Sequence, residues 1–226
     1  MAATTALIIG ASRGLGLGLA ERLSEAGWAV TATVRDVAKA TELQALPQVQ
    51  VETLDIDRPA ELAQLAERLR GQVFDVVFIN AGVMGPTGSL AGVGAEQLGA
   101  LFLTNTLAPI RVAQAFCPTL RPGTGVLAFM SSGLGSILAP DAAEMALYKA
   151  SKAALNSMVN TFTTQLPEPR PTVLAMHPGW VKTAMGGDGA DIDVLTSTTG
   201  LARQLQAYAG KGGLHFINYK GDVLPW

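Results

Sequence analysis

The sequence predicts an α/β protein: a doubly wound, parallel sheet of about seven strands with helices on both faces, folded as a single domain over residues 1–226. Three observations carry this expectation. Short apolar runs alternate with longer stretches of helical periodicity, the pattern of right-handed βαβ units. The runs show little polar alternation, as expected of strands covered on both faces. Apolar residues make up 49% of the chain and charged residues 15%, enough apolar side chain for a core on each side of a sheet.

The first strand, Ala6–Ile9, runs into a glycine-rich turn and then a helix over Leu15–Ala26. Strands follow at Ala29–Val34 and Val49–Leu54. Pro59 opens a helix reaching Leu69, because the N–H that proline lacks has no partner in a first helical turn anyway. Phe74–Asn80 is a strongly apolar strand. A long helical stretch from about Ala95 to Leu120 contains Pro109, where a break is expected. A strand at Val126–Met130, a helix at Met145–Gln165, a strand at Thr172–Met176, a helix at Gly200–Ala209 and a strand at His215–Tyr219 complete the order. No repeat, low-complexity tract or linker interrupts it.

Composition narrows the function classes. A net charge of -2 gives no basic footprint for nucleic acid. The single cysteine, Cys117, excludes an intramolecular disulfide and reads as a small buried hydrophobe before Pro118. With two histidines far from it, no metal-ligand spacing exists, so no metal is expected. The opening MAATTALIIGASRG lacks the basic region of a signal peptide. LGALFLTNTLAPIRVAQAF is interrupted by Asn105, Pro109 and Arg111 and reads as buried helix rather than a membrane span. A cytoplasmic protein with no membrane or nucleic-acid partner is expected.

The stretch IIGASRGLG joins the first strand to the first helix, with Gly10, Gly14 and Gly16 spaced G-x-x-x-G-x-G. This differs from G-x-G-x-x-G, but the physics is shared. Glycines let a phosphate approach the backbone, and the helix N-terminus offers it free N–H groups and a positive dipole end. A turn packed for its own sake is the plainer alternative; its place between the first strand and first helix of a Rossmann-type pattern favours dinucleotide binding. The second strand ends TATVRD. Arg35, with Arg13 from the turn, suits the 2′-phosphate of NADP(H). Asp36, able to bond ribose hydroxyls, keeps NAD(H) as the alternative.

In ALYKASK, Tyr148 and Lys152 lie four residues apart, on one helix face. Alone this is a chance pair. Together with the glycine turn, Asp55 in LDID, Asn80–Gly82 as NAG, Asn105 in LTNTLAP, MSS at 130–132 and HPGWVKT at 177–183, it resembles the short-chain dehydrogenase/reductase family over nearly the whole chain. HPGWVKT followed by AMGG, and the ending INYKGDVLPW, are similar to the branch containing C-factor signalling proteins and sniffer-type carbonyl reductases. The resemblance implies a seven-stranded sheet, a nicotinamide cofactor and hydride transfer at a carbonyl carbon. It implies a cofactor site built from Gly10, Ser12, Arg13, Gly14, Leu15, Gly16 and Arg35, with Asp55 and Ile56 beside the adenine and Asn80, Ala81 and Gly82 along the cofactor. Pro178, Gly179, Val181 and Thr183 would line the nicotinamide and pyrophosphate, and Tyr148 and Lys152 would reach the cofactor too. Asn80 has an alternative role, tying neighbouring strands together. His177 and His215 are expected to be structural.

Reducing a carbonyl requires a hydride at carbon and a proton at oxygen. Tyr148 is the expected proton donor, and Lys152, one turn on, is expected to pull its pKa down from about 10. Ser132 is expected to bond the substrate oxygen. Ser131 competes, but in the family the substrate-facing serine has a glycine three positions later, and Gly135 fits Ser132. Asn105 is expected to hold a water beside Lys152 in a proton relay. Tyr148 follows Ser132 by 16 positions, more than is usual in the family, so LAPDAAEM is expected to bulge at the mouth of the site. The segment after Thr183, glycine-rich and poor in charge, reads as a mobile lid over a neutral carbonyl substrate such as an aromatic ketone or quinone. The family pairs long helices into homodimers or homotetramers, and Ala95–Phe116 is a candidate face, with burial against the sheet as its equal alternative. The expected activity is NADPH-dependent carbonyl reduction; the alternatives are an NAD-dependent alcohol dehydrogenase and a cofactor-binding, C-factor-like signalling protein.

Overall fold

A computed structural model describes residues 3–139 and 143–226. Seven strands form one parallel sheet: β1 Thr5–Ile9, β2 Ala29–Val34, β3 Val49–Thr53, β4 Val76–Ile79, β5 Val126–Met130, β6 Thr172–His177 and β7 Gly213–Asn218. Their order is β3-β2-β1-β4-β5-β6-β7. Seven helices connect them: α1 Gly14–Glu25, α2 Thr41–Gln44, α3 Pro59–Arg68, α4 Ala95–Phe102, α5 Ala108–Phe116, α6 Ala146–Thr164 and α7 Val194–Ala207.

Successive strand residues face opposite sides, so each strand feeds two cores. Ala6 and Ile8 of β1 pack with Leu19 and Leu23 of α1 and Leu201 and Leu205 of α7. Leu7 and Ile9 pack with Leu65 of α3, Val112 and Phe116 of α5, and Leu155 and Val159 of α6. Burial on both faces is why the central strands are apolar without alternation. α1 and α7 approach closely at Gly18, where a Cβ would lie 2.5 Å from Val194 Cγ1.

Several elements depart from the sequence expectation. α7 begins at Val194 rather than Gly200, because the Asp193 side chain caps it by accepting the Thr196 N–H at 2.7 Å. Gly200 marks a close approach instead: a Cβ there would lie 2.5 Å from the Tyr219 carbonyl oxygen. The short α2 was not expected. β4 starts at Val76, because Asp75 turns its carboxylate to the Thr5 N–H at 2.8 Å and pairs with Arg121. The long helix is divided before Pro109, not at it. Residues Leu103–Leu107 form a π-helical turn in which the Ala108 N–H bonds the Leu103 carbonyl. Pro109 has no N–H for the Asn105 carbonyl four residues back, which disrupts the ordinary ladder there. Of this stretch, α5 is buried against the sheet while Leu98 and Leu107 are exposed.

Candidate active site

The strand order reverses between β1 and β4, so a crevice opens outside their carboxyl ends. The glycine turn lies there. Gly10 and Gly14 have φ of +89° and +56°, the left-handed region that favours glycine. Gly16 serves packing: a Cβ would lie 2.2 Å from the Gly10 carbonyl oxygen and 2.7 Å from Asn80 Nδ2. Asn80 Nδ2 donates to that same carbonyl at 2.6 Å, and Thr33 Oγ1 accepts the Gly10 N–H at 3.0 Å. The side chain of Asn80 therefore takes the strand-tying role and shapes the turn. The first turn of α1 carries no acidic residue and no side-chain cap, leaving its N–H groups and dipole uncompensated behind Ser12, Arg13, Gly14 and Leu15. This is a cradle that fits a pyrophosphate.

At the end of β2, Arg35 is exposed, as is Arg13, and neither forms an ion pair among the described residues. Asp36 is committed elsewhere. Its carboxylate accepts the Ala38 N–H at 3.1 Å and pairs with Lys39 at 3.3 Å, closing its own short turn. After β3, Asp55 closes another turn by accepting the Asp57 N–H at 3.1 Å, and pairs with Arg58 at 3.4 Å; Ile56 is buried.

The Ala81 and Gly82 backbone crosses the end of β1, with the Ala81 N–H donating to the Ile9 carbonyl at 3.0 Å. A Cβ on Gly82 would lie 3.3 Å from Asn105 Oδ1 and 3.4 Å from Lys152 Nζ, so glycine here lets both groups close in. The Asn105 amide is fully used. It accepts from the Val83 N–H at 2.8 Å and donates to the Val83 carbonyl at 2.8 Å and Ser151 Oγ at 3.0 Å. Any relay role falls to its main-chain carbonyl, which Pro109 leaves without the usual helical donor.

The two serines after β5 diverge. Ser131 Oγ donates to Asn156 Oδ1 at 2.6 Å within the core, and Asn156 Nδ2 donates to the Gly135 carbonyl at 3.2 Å. Ser132 Oγ accepts the Leu134 N–H at 3.1 Å and lies close enough to the Tyr148 phenol to draw its pKa down. Gly135 is needed because a Cβ would lie 2.8 Å from Asn156 Nδ2 and 3.0 Å from Ser131 Oγ. Asn156 was not anticipated, although it continues the i, i+4 series of Tyr148 and Lys152 along α6.

Lys152 is buried, its Nζ donating to the Met130 carbonyl at 2.8 Å and lying 5.7 Å from the Tyr148 ring centroid. Burial lowers its pKa to about 8. The expected downward pull on Tyr148 is not what the geometry gives. Burial pushes the phenol up to about 12, against the opposing pull of Ser132. Desolvation dominates: the Lys152 ammonium lies over the Tyr148 ring, 5.7 Å from its centroid, and gives its hydrogen bond to the Met130 carbonyl.

After β6, Pro178 accepts from Ser197 Oγ at 2.7 Å, and Gly179 packs against Ile192 and Tyr219. Val181 is buried and bridges Ile192, and a Cβ on Gly14 would lie 3.6 Å from Thr183 Cγ2, placing Thr183 over the glycine turn. The segment expected to be a mobile lid is tied to itself: Trp180 Nε1 donates to the Gly186 carbonyl at 2.9 Å, and the Gly186 and Gly187 N–H groups bond Thr183. Lys149 Nζ bonds the Ala139 carbonyl at 2.6 Å, fixing the loop after Ser132 from the other side. The anticipated bulge at LAPDAAEM falls partly on residues 140–142, outside the described residues. Cys117 lies at the far end of α5, its thiol pushed up to about 11 by burial. Among the described residues there is no cluster of metal-ligating side chains, and no helix is long and apolar enough to cross a membrane. A depression of about 380 Å³ at the opposite edge of the sheet, beside Thr5, Gln48 and Phe74, contains none of these groups.

The family model described as short chain dehydrogenase matches residues 4–191. The C-signal protein of Myxococcus xanthus is 38% identical over 154 residues, covering 67% of this chain and 92% of that protein. A carbonyl reductase from Pseudomonas aeruginosa, solved in complex with NADP, superposes with a TM-score of 0.92 at 40% identity, covering 100% of both chains. The carbonyl reductase Sniffer of Drosophila melanogaster superposes with a TM-score of 0.87 at 30% identity, again over 100% of both chains.

Proposed function

Because this chain belongs to the short-chain dehydrogenase family, we propose that it is an NADPH-dependent carbonyl reductase in which Tyr148 is the proton donor. The observation that carries the reading is the Tyr148 phenol beside Ser132, with the buried Lys152 on the same helix face, its ammonium 5.7 Å from the ring centroid. The glycine cradle supports a dinucleotide, and Arg13 and Arg35, without ion pairs among the described residues, support NADP(H) over NAD(H), as does a self-engaged Asp36. Carbonyl reductase structures of the same fold carrying NADP support it further.

When bound, the reduced nicotinamide supplies the hydride. The chain supplies the rest. Ser132 and Tyr148 direct two hydroxyl donors at the substrate oxygen, where negative charge develops. Tyr148, protonated across the neutral range, releases its proton to that oxygen. Lys152 steadies the phenolate so formed, and a proton returns from solvent by way of a water held at the Asn105 main-chain carbonyl and Lys152. Ile137 and Leu138 after the serine loop, and Trp180 and Met185 after β6, are exposed apolar side chains that suit a neutral, apolar carbonyl compound. The exposed Leu98 and Leu107 suit pairing of two copies.

The test is a titration with NADPH and NADH followed by fluorescence, then NADPH oxidation with carbonyl substrates. Tight NADPH binding and turnover that Tyr148→Phe abolishes are expected; a preference for NADH would sink the cofactor assignment. The likeness to C-signal supports a second reading, a cofactor-binding signalling protein. Under that reading Tyr148→Phe keeps both NADPH binding and biological activity.

A further inference from the structure

His177 ends β6, and its surroundings are not those of an ordinary core histidine. Met130 pairs with Met176 in the β5–β6 register, so His177 stands across from Ser131 at the sheet edge where the proposed catalytic groups gather. Val173, four residues back on the same strand face, packs in the core shared with α6, so the imidazole points to the side that bears Tyr148 and Lys152. A Cβ on Gly133 would lie 3.3 Å from both Nε2 and Cδ2 of the ring, so the imidazole lies against the residue that follows Ser132.

Its Nδ1 is buried and has no hydrogen-bond partner among the described residues. An unpaired buried polar atom costs roughly 1–3 kcal/mol, and no hydrogen bond of this nitrogen to a described residue holds the ring in place. His215 shows the contrast: its Nε2 bonds the Gly212 carbonyl at 2.9 Å, and its ring meets Tyr208 edge-on. Burial also draws the His177 pKa down to about 4, so the ring is neutral at physiological pH, with one N–H and one acceptor nitrogen. With Nδ1 sealed off, Nε2 is the nitrogen left to meet a ligand.

We propose that His177 is a substrate-recognition residue whose neutral imidazole, beside Ser132, hydrogen-bonds a second oxygen of the carbonyl substrate. The inference rests on the carbonyl-reductase reading and narrows it. Favoured substrates carry a carbonyl or hydroxyl next to the carbonyl that is reduced: vicinal diketones, ortho-quinones and α-hydroxyketones. A neutral ring suits a neutral oxygen; a carboxylate would demand the imidazolium that burial opposes.

The experiment compares 1-phenyl-1,2-propanedione with propiophenone, which lacks the second carbonyl, in NADPH oxidation by the wild-type and variant chains. His177→Leu is expected to raise KM for the dione about tenfold while leaving KM for propiophenone and Kd for NADPH within about twofold. His177→Gln, which restores an N–H donor, is expected to recover most of the loss. If His177→Leu does not fold, His177→Phe keeps a ring without nitrogens and reads the same ratio. Equal effects on both ketones, or none on the dione, would overturn the assignment while leaving the carbonyl-reductase reading intact. No turnover of either ketone by the wild-type protein would remove both.

Discussion

Lys152 holds its ammonium 5.7 Å from the centroid of the Tyr148 ring, buried, with the Met130 carbonyl as its hydrogen-bond acceptor. Burial moves the two groups in opposite senses, the lysine down to about 8 and the phenol up to about 12. Tyr148, the proposed donor, thus stays loaded with its proton through the working range, and the lysine is the group that changes charge. The pH profile of kcat/KM for carbonyl reduction should therefore be level near neutrality and fall above about 8 as Lys152 loses its proton. A decline that begins only near 10, where a free tyrosine titrates, would count against this arrangement.

The same burial gives a stability prediction. The native pKa of Lys152 lies below its unfolded value, so between about 8 and 10.5 the unfolded chain binds more protons and stability rises with pH. Below about 8 the cost of the buried charge is felt in full. Lys152→Met should therefore stabilise the protein at pH 7, on the order of 1–3 kcal/mol, while lowering kcat about 100-fold or more. Urea melts at pH 7 and pH 10 test it: the gain should shrink at the higher pH. Destabilisation by methionine at both pH values would show that the ammonium is better paired than its single carbonyl indicates.

Three glycines separate packing from binding. Gly16→Ala would place Cβ 2.2 Å from the Gly10 carbonyl oxygen, backbone that cannot move without dismantling the turn. It should cost about 2 kcal/mol or more of stability and most NADPH binding. Gly14→Ala meets nothing closer than 3.6 Å but carries φ of +56°, so it should cost about 1–2 kcal/mol of backbone strain and weaken NADPH through crowding of the cradle. Gly99→Ala, on the open face of α4, meets nothing within 4 Å and should gain about 0.5–1 kcal/mol with binding unchanged. Chemical melts and NADPH titrations of the three variants should rank in that order.

How far the sequence alone reaches depends on the range of the interaction. The strands were legible because burial on both faces writes itself as unbroken apolar runs such as VVFI at 76–79. The placement of Tyr148 and Lys152 on one helix face and of Ser132 at a strand end was legible because helix spacing and a strand end are local features; their roles came only with the family resemblance. The start of α7 was missed because Asp193 caps a run of threonines and serines with weak helical propensity, and Gly200 looked like an opening when it is a contact with the chain after β7. The upward shift of Tyr148 and the pinning of the 180–187 segment by Trp180 depend on burial and on contacts that no spacing encodes.

The adjacent serines should part cleanly under mutation. In the proposed mechanism Ser132→Ala removes a donor to the developing oxyanion, and it should lower kcat about 100- to 1,000-fold with little change in stability. Ser131→Ala leaves Asn156 Oδ1 without its 2.6 Å donor in the core. It should cost about 1–3 kcal/mol in stability while keeping most of kcat. Steady-state rates at saturating NADPH, read beside thermal melts, distinguish the two. Reversed phenotypes would mean that Ser131 faces the substrate.

The proposed preference for NADPH rests on three side chains, Arg13 in the glycine turn and Arg35 and Asp36 after β2. Arg13 and Arg35 are exposed and without ion pairs among the described residues, so a dianionic 2′-phosphate would meet two guanidiniums that need not first be freed from a carboxylate. Asp36, the residue that would repel that phosphate, spends its carboxylate on Ala38 and Lys39. Arg35→Ala and Arg13→Ala should each weaken NADPH about tenfold and leave NADH nearly unchanged, and the double variant should bind the two cofactors alike. Added salt should weaken NADPH more steeply than NADH in the wild-type protein, because the guanidinium contacts are solvent-exposed and screened. Asp36→Ala should leave NADH affinity nearly as it was, since the carboxylate already faces its own turn. A large loss of NADH binding there would instead show that Asp36 swings out to hold the ribose hydroxyls, and the preference for NADPH would have to be sought elsewhere.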